Sequence, residues 1–353
     1  MVSESTSVRV PEKNVHEFAY EVLSAAGVDD DVAETTARGL WKASIRGVDS
    51  HGIRLLPHYL DELEGGRINP NPDWQFDRTA QSIGRFDADH TYGIAAGKQA
   101  MEHAIEIAEE TGAGHVSVRN SSHCGSMAYF GLMAAENDMI GHATTHGTAN
   151  TKTPRSNRPF FGNNPICVTA PMHDEDPFCF DAAVTPISFN KVKQHRDTGE
   201  SLPEGAAADE TGQETVDPHE ATQLQYIGDY KGFGLAMSND ILNGLLSGMP
   251  VGQDISSMFN DPLSKRRQLG HYFSAIQIDA FVDIEEFKRR LQDLAENVRE
   301  EPRINQDEPV QVPGDPEKEA KRKRTEEGIP IPKHDLERFD TISEKLDVTP
   351  IRK

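Results

Sequence analysis

Val15, Phe18, Ala19, Val22 and Leu23 recur at helical spacing and give way at Gly27, a pattern that predicts an amphipathic helix with one core face. A second helix is expected from Asp31 to about Ala43. A third follows Gly52, with Leu55, Leu56, Tyr59, Leu60 and Leu63 on one face and Gly65-Gly66 as its stop. Residues 1–72 therefore form an N-terminal helical module. It is closed by Asn69-Pro70-Asn71-Pro72, whose prolines enforce an extended linker. His51 falls in the turn between the second and third helices.

From about residue 74 short apolar runs alternate with helical ones. A helix over 93–110 leads through Gly112-Ala113-Gly114 into a strand at 115–118, and a helix over about 126–137 follows. Strands are expected at 140–145, 166–170, 178–181 and 272–278, and helices at 232–246 and 284–298. That alternation predicts an α/β core over 73–298. Residues 299–327 are highly charged and poor in apolar side chains, and 299–353 is expected to pack back on the N-terminal module.

Composition narrows the function. The 353 residues carry 58 acidic against 36 basic side chains, a net charge of -22, which argues against a nucleic-acid surface. The run Lys321-Arg322-Lys323-Arg324 reads as a solvated helix face. Clusters such as Asp29-Asp30-Asp31 and Asp174-Glu175-Asp176 suggest a strongly hydrated surface. Salt adaptation and an ordinary acidic cytosolic protein both fit it. Cys124, Cys167 and Cys179 have no zinc-type pairing and read as reduced thiols. Met1–Pro11 lacks an apolar signal core, and no run approaches the roughly 20 apolar residues of a membrane helix. A cytoplasmic protein without nucleic-acid or membrane partners is expected.

Two turns carry candidate chemistry. Asp49-Ser50-His51-Gly52-Ile53-Arg54 sets an imidazole near a guanidinium, and Asn120-Ser121-Ser122-His123-Cys124-Gly125 supplies a second imidazole. An imidazole exchanges protons near neutral pH, and a guanidinium clamps a carboxylate through two parallel hydrogen bonds. Arg54 is the candidate clamp, and Tyr59 the residue that bounds the pocket. His142 and His146 lie four apart in a strand-like run with no third ligand in view, so they read as satisfied polar side chains. His58 reads as a surface residue. No strand is followed by Gly-x-Gly-x-x-Gly, and no phosphate-binding Gly-x4-Gly-Lys is present. Any nicotinamide cofactor must therefore bind by another arrangement. Lys231-Gly232-Phe233-Gly234 opens a helix whose free amides suit a phosphate, although by itself it reads as an ordinary helix start.

These turns occur in one order with Gly162-Asn163-Asn164-Pro165, Asp181-Ala182-Ala183, Ser256-Ser257-Met258, Leu269-Gly270-His271-Tyr272-Phe273 and Gly328-Ile329-Pro330. Over about residues 14–333 the set resembles the type-2 malate/L-lactate dehydrogenase family. The resemblance implies an α/β fold with a non-Rossmann NAD(P)-binding core and a mixed sheet, with 73–298 holding cofactor and substrate. It implies hydride transfer between NAD or NADP and a small 2-hydroxy or 2-oxo carboxylate of the malate, lactate or ureidoglycolate type. It further implies a homodimer or an assembly of dimers, with the site near the subunit interface. His51 matches the family's acid/base position and His123 a second active-site histidine. Asp181 matches an aspartate at the boundary of cofactor and active site, where it could also orient an imidazole. Ala182, Ala183, Lys231 with Gly232, Gly147, Gly314 and Glu317 match cofactor-contacting positions. Asn163 stands where threonine is usual, and Pro186 and the stretch Arg155–Arg158 also depart from the pattern. The alternatives are a reductase of cyclic imino acids (piperideine or pyrroline carboxylates) or of a diketo sugar acid, and a binding protein that retains the cofactor without turnover.

Overall fold

In the computed structural model, which describes residues 7–352, the helical faces expected from the spacing are the buried ones. The first part of the polar N-terminal stretch, up to residue 6, lies outside the described residues. After β1 (Ser7–Val10), α1 (Glu12–Ala25) buries Val15, Phe18, Ala19, Val22 and Leu23. α2 (Asp30–Ile45) starts where the Asp29 carboxylate accepts the amides of Asp31 and Val32, supplying acceptors for otherwise unpaired helix-start donors. α3 is confined to Leu56–Glu64, with Pro57 in its first turn. Two tight 3-10 turns, Asp49–His51 and Ile53–Leu55, replace the beginning that the apolar spacing suggested.

The α/β part begins with the hairpin β2 (Gln75–Ala80) and β3 (Ile83–Asp87), then α4 (Gly93–Thr111), β4 (Ala113–Ser121), α5 (Ala128–Glu136) and β5 (Met139–Thr145). β6 (Thr151–Lys152), β7 (Pro159–Phe161), β8 (Ile166–Ala170), β9 (Phe178–Ala182) and α6 (Phe189–Thr198) follow. Next come β10 (Ala207–Ala208), β11 (Glu214–Thr215), β12 (Gln223–Leu224) and α7 (Tyr230–Asp240), which runs on into a π-helical turn, Ile241–Leu245. The chain closes with β13 (Leu269–Gln277), α8 (Ile284–Arg299), α9 (Asp315–Glu327), β14 (Ile329–Pro332) and α10 (Lys333–Leu346).

The main sheet has seven strands in the order β2-β3-β4-β13-β5-β8-β9. β3 and β4 run parallel and every other neighbouring pair is antiparallel. A doubly wound dinucleotide fold is built on a mostly parallel sheet, so this mixed sheet accords with the missing glycine fingerprint. α4 and α5 pack on it. β11-β10-β12-β6-β7 form a second, small sheet; with α6 it encloses a separate core of Val192, Leu202, Ala207, Ala221 and Leu224.

One apolar core runs from Val10 to Ile351 and joins the N-terminal helices to α4, α5 and the main sheet. The two ends of the chain meet. β1 pairs antiparallel with β14, and α10 packs against α1 and α3. No helix of the described residues is long and apolar enough to cross a membrane.

Candidate active site

The two histidines reach one place from different elements. His51 ends the first 3-10 turn after α2. That turn is pinned by Ser44, whose hydroxyl donates to Leu40 O and accepts the Ile53 amide at 2.9 Å. A Cβ on Gly52 would sit 2.2 Å from the Ser44 hydroxyl, so the turn tolerates only glycine there. His123 follows β4, where the Ser122 hydroxyl donates to Thr91 O and accepts the Gly93 amide that opens α4. The two imidazoles stack, with centroids 5.6 Å apart and planes inclined by 16°.

Each imidazole has one ring nitrogen engaged. Ser50 Oγ lies 2.9 Å from His51 Nδ1, and Tyr59 Oη lies 2.8 Å from His123 Nδ1. Tyr59 is wholly buried, so it bounds the site by holding His123 from behind.

His51 opens on a cavity of about 520 Å³ whose wall includes Gly125, Asp181, Ala182, Ala183, Gly314 and Glu317. Five of the expected cofactor-contacting residues thus meet at one cavity. Gly314 has φ 101° and precedes α9, with Cys179 N only 3.2 Å from where a Cβ would be. Asp181 differs from expectation in its contacts. Its Oδ2 accepts from Ser126 Oγ and the Ala128 amide, both at 2.8 Å, so it caps α5 and reaches His51 through charge.

The remaining expected residues lie elsewhere. Arg54 is turned to the C-terminal helix, with its Nε 2.7 Å from Asp335 Oδ2, and it does not line the cavity. Lys231 is exposed at the start of α7. Its turn is tied to the segment after β9 by the Ile227 amide, which donates to Val184 O at 3.1 Å. Gly232 adjoins it, and there a Cβ would lie 2.5 Å from Ile227 O. The Gly147 amide donates to Asn164 Oδ1. His146 is a core histidine whose Nε2 accepts the Gly270 amide. His58 is half-buried beside Glu62 and the Phe259 ring, so it is not the surface residue its position suggested. The basic run on α9 is also more than a solvated face. Arg324 grips Asp49 and Ser44 O, and Lys321 pairs with Asp176.

Burial dominates the electrostatics. It pushes His51 below the ordinary histidine range, opposed by the Asp181 charge. It pushes His123 further down, helped by the neighbouring His51 and by Arg267. Both imidazoles are therefore neutral near pH 7. Burial, with the Glu62 charge, raises the Tyr59 hydroxyl well above the usual phenol range and keeps it protonated.

The family model described as malate/L-lactate dehydrogenase matches residues 10–340. The chain belongs to the malate/L-lactate dehydrogenase family. It is 32% identical over 351 residues to the malate dehydrogenase of Pyrococcus abyssi, covering 97% of this chain and 96% of that one. It is 31% identical to an NAD(+) ureidoglycolate dehydrogenase of Escherichia coli, covering 92% and 93% of the two. The solved sulfolactate dehydrogenase of Methanocaldococcus jannaschii superposes with a TM-score of 0.91 at 29% identity, over 97% of this chain and 98% of that one.

Several side chains of this dehydrogenase-family site were not singled out from the sequence. Ser50 was legible as the neighbour of His51. Arg46 lines the cavity with a buried Nε that has no hydrogen-bond partner among the described residues, and its signal was its place at the end of α2. His271 lies beneath the site, with Nε2 2.8 Å from Ser121 Oγ and Nδ1 2.8 Å from Thr145 Oγ1 and 3.6 Å from Cys124 Sγ. Burial pushes it down to about 3. It is thus a neutral strut under the His123 turn. Arg267, in the polar segment before β13, carried no spacing signal.

Proposed function

We propose that this chain is an NAD(P)-dependent dehydrogenase that interconverts a small 2-hydroxy acid and its 2-oxo acid, with malate, lactate and ureidoglycolate as the leading substrates. The observation that carries the proposal is the stacked, neutral His51–His123 pair beside the cavity bounded by Asp181 and Gly314.

The cavity residues fit a nicotinamide dinucleotide. Gly125, Ala182, Ala183 and Gly314 give the cavity a wall of small residues. The unpartnered Nε of Arg46 offers a donor to a phosphate, and Glu317 an acceptor to a ribose hydroxyl. When bound, the nicotinamide accepts or supplies the hydride.

The proton belongs to the histidines. With Ser50 accepting from His51 Nδ1, Nε2 keeps its lone pair and takes the proton of the substrate hydroxyl. The protonated ring returns it in the reverse direction, and the nearby Asp181 carboxylate stabilises that charge. Tyr59 fixes the second imidazole, so His123 holds the substrate oxygen from the other side.

A homodimer is part of the proposal. Tyr230, Leu235, Ile241, Leu245 and Leu246 are exposed along α7 and its π-helical turn, where a second copy would cover them. The three unpaired buried thiols accord with a reducing, cytoplasmic setting.

The test is a panel of 2-oxo acids and cyclic imino acids with NADH and NADPH, followed by His51→Ala and His123→Ala on the best substrate. Reduction of a 2-oxo acid and a loss of at least about 100-fold in kcat for His51→Ala are expected. If the wild type turned over no 2-oxo acid, or neither variant changed kcat, the proposal would be overturned.

A further inference from the structure

The three cysteines are all buried and free, but their surroundings differ. Cys124 packs against His271, and Cys167 on β8 is sealed at 0% exposure. A Cβ on Gly131 of α5 would meet the Cys167 sulfur at 2.9 Å, so that face of β8 is closed. Cys179 on β9 is 4% exposed and belongs to the cavity wall, together with Arg46, Gly314 and Glu317. Its amide donates to Pro313 O at 3.5 Å, and its backbone lies against the Gly314 turn.

A second observation points to an anion at this wall. Arg46 is 7% exposed, and its buried Nε has no acceptor among the described residues. A buried guanidinium without a partner is costly and favours negative charge nearby. The Cys179 sulfur can supply it. The Cys167 thiol hydrogen-bonds that sulfur and, with the Arg46 charge, holds the Cys179 thiol below its ordinary range, against burial and the charges of Asp181 and Glu317. Burial drives the other two the opposite way, Cys124 up to about 12 and Cys167 well above the thiol range. Because the thiolate is the nucleophile, only Cys179 combines access with reactivity.

We propose that Cys179 is a site of reversible oxidation by small hydroperoxides, and that a dinucleotide bound in the cavity shields it. The thiolate sulfur attacks one peroxide oxygen, and the O–O bond breaks with its electron pair going to the departing oxygen. That oxygen takes a proton from solvent and leaves as water or an alcohol. Sulfur gives up the electron pair and becomes a sulfenic acid, while the peroxide is reduced. Cys167 and Cys179 share a face but are out of register, since Cys167 faces Asp181 and Cys179 faces Thr169. Such diagonal neighbours are about 7–8 Å apart, whereas the Cβ atoms of a disulfide are about 3.5–4.5 Å apart. The product therefore stays a sulfenic acid rather than closing onto Cys167.

An oxygen added to the Cys179 sulfur crowds the Gly314 turn and engages the Arg46 guanidinium that a cofactor phosphate would otherwise take. Oxidation and cofactor thus exclude one another. The competition rests on the dehydrogenase proposal above; the choice of thiol does not.

The experiment treats the whole protein with hydrogen peroxide and dimedone and quantifies the three cysteine peptides by mass spectrometry, with and without saturating NADH or NADPH. Dimedone should mark Cys179 at least about tenfold faster than Cys124 or Cys167. Saturating cofactor should slow that labelling at least about tenfold, and Arg46→Met without cofactor should slow it about three- to tenfold. Peroxide without dimedone should remove activity, and dithiothreitol should return it. Faster labelling of Cys124 or Cys167, no labelling at all, or a loss of about 2 Da marking a Cys167–Cys179 disulfide would overturn the assignment. Labelling of Cys179 that bound cofactor leaves unchanged would overturn the shielding. Should Arg46→Met not fold, the labelling order in the wild type and its response to cofactor decide. A protein that binds neither cofactor in a fluorescence titration sinks the dehydrogenase proposal and the shielding, while the labelling order still decides the site.

Discussion

Tyr59→Phe isolates a single atom of the site. The ring is wholly buried and phenylalanine fills the same space, so the change removes the hydroxyl and leaves no cavity. What is lost is the 2.8 Å bond to His123 Nδ1. A buried polar atom left without a partner costs about 1–3 kcal/mol. For a chain of 353 residues the unfolding entropy at the midpoint is about 0.7 kcal/mol per degree. The melting temperature should therefore fall by about 1–4 °C. The effect on turnover should exceed that small loss, because the freed imidazole samples both tautomers and more than one ring orientation. We expect kcat to drop about 10–100-fold with KM within about threefold, since no group that binds substrate has changed. Steady-state NAD(P)H absorbance and a thermal melt of the same preparation provide both numbers. A variant that melts about 1–4 °C lower but retains full kcat would refute the argument and reduce Tyr59 to packing.

Four further outcomes follow from the geometry. Burial lowers His51 and His123, so the neutral base needed for alcohol oxidation persists below pH 6.5; the acid limb of kcat/KM for oxidation should lie there, and a midpoint above pH 7 would contradict it. The same depression makes the folded state favour the neutral rings, so the stability from His51, His123 and His271 is complete above about pH 6.5 and is lost as pH falls through their lowered values; a melting temperature that rises on acidification from pH 6.5 would be the wrong sign. Arg67→Met strands the wholly buried Glu62 and four loop carbonyls, and should cost about 3–5 kcal/mol in urea unfolding; a cost below about 1 kcal/mol would show that the 258–265 segment is held some other way. Arg324→Met releases Asp49 and Ser44 O, and should lower kcat more than it raises KM, because it loosens the turn carrying His51; a pure KM effect would disprove that role.

The helices of the first 66 residues and those over 93–111 and 284–299 were legible because each buries one face at the period of the backbone. The second sheet was not, since most of its strands are two residues long and no alternation can register over that length. The histidine pair was legible as two short polar turns, each bearing a glycine one or two residues later. Arg54 shows the limit of spacing. It is near His51 in sequence, but a 3-10 turn points it at Asp335, whose position only the chain's end decides. Asp181 shows the same limit, because its partners are the start of α5 rather than an imidazole.

α9 buries no residue and yet reaches from the cavity wall at Gly314 to the His51 turn through Arg324. Its hold is electrostatic, through Lys318 to Glu175, Lys321 to Asp176 and Arg324 to Asp49, with Arg299 bridging Glu175 and Asp315. This gives the protein a direction in time. A ribosome makes His51 more than 260 residues before those that brace its turn and close the cavity. β1 likewise finds its partner strand only in β14. A chain ending before residue 314 would carry both histidines without the Gly314–Glu317 wall of the cavity or the Arg324 brace.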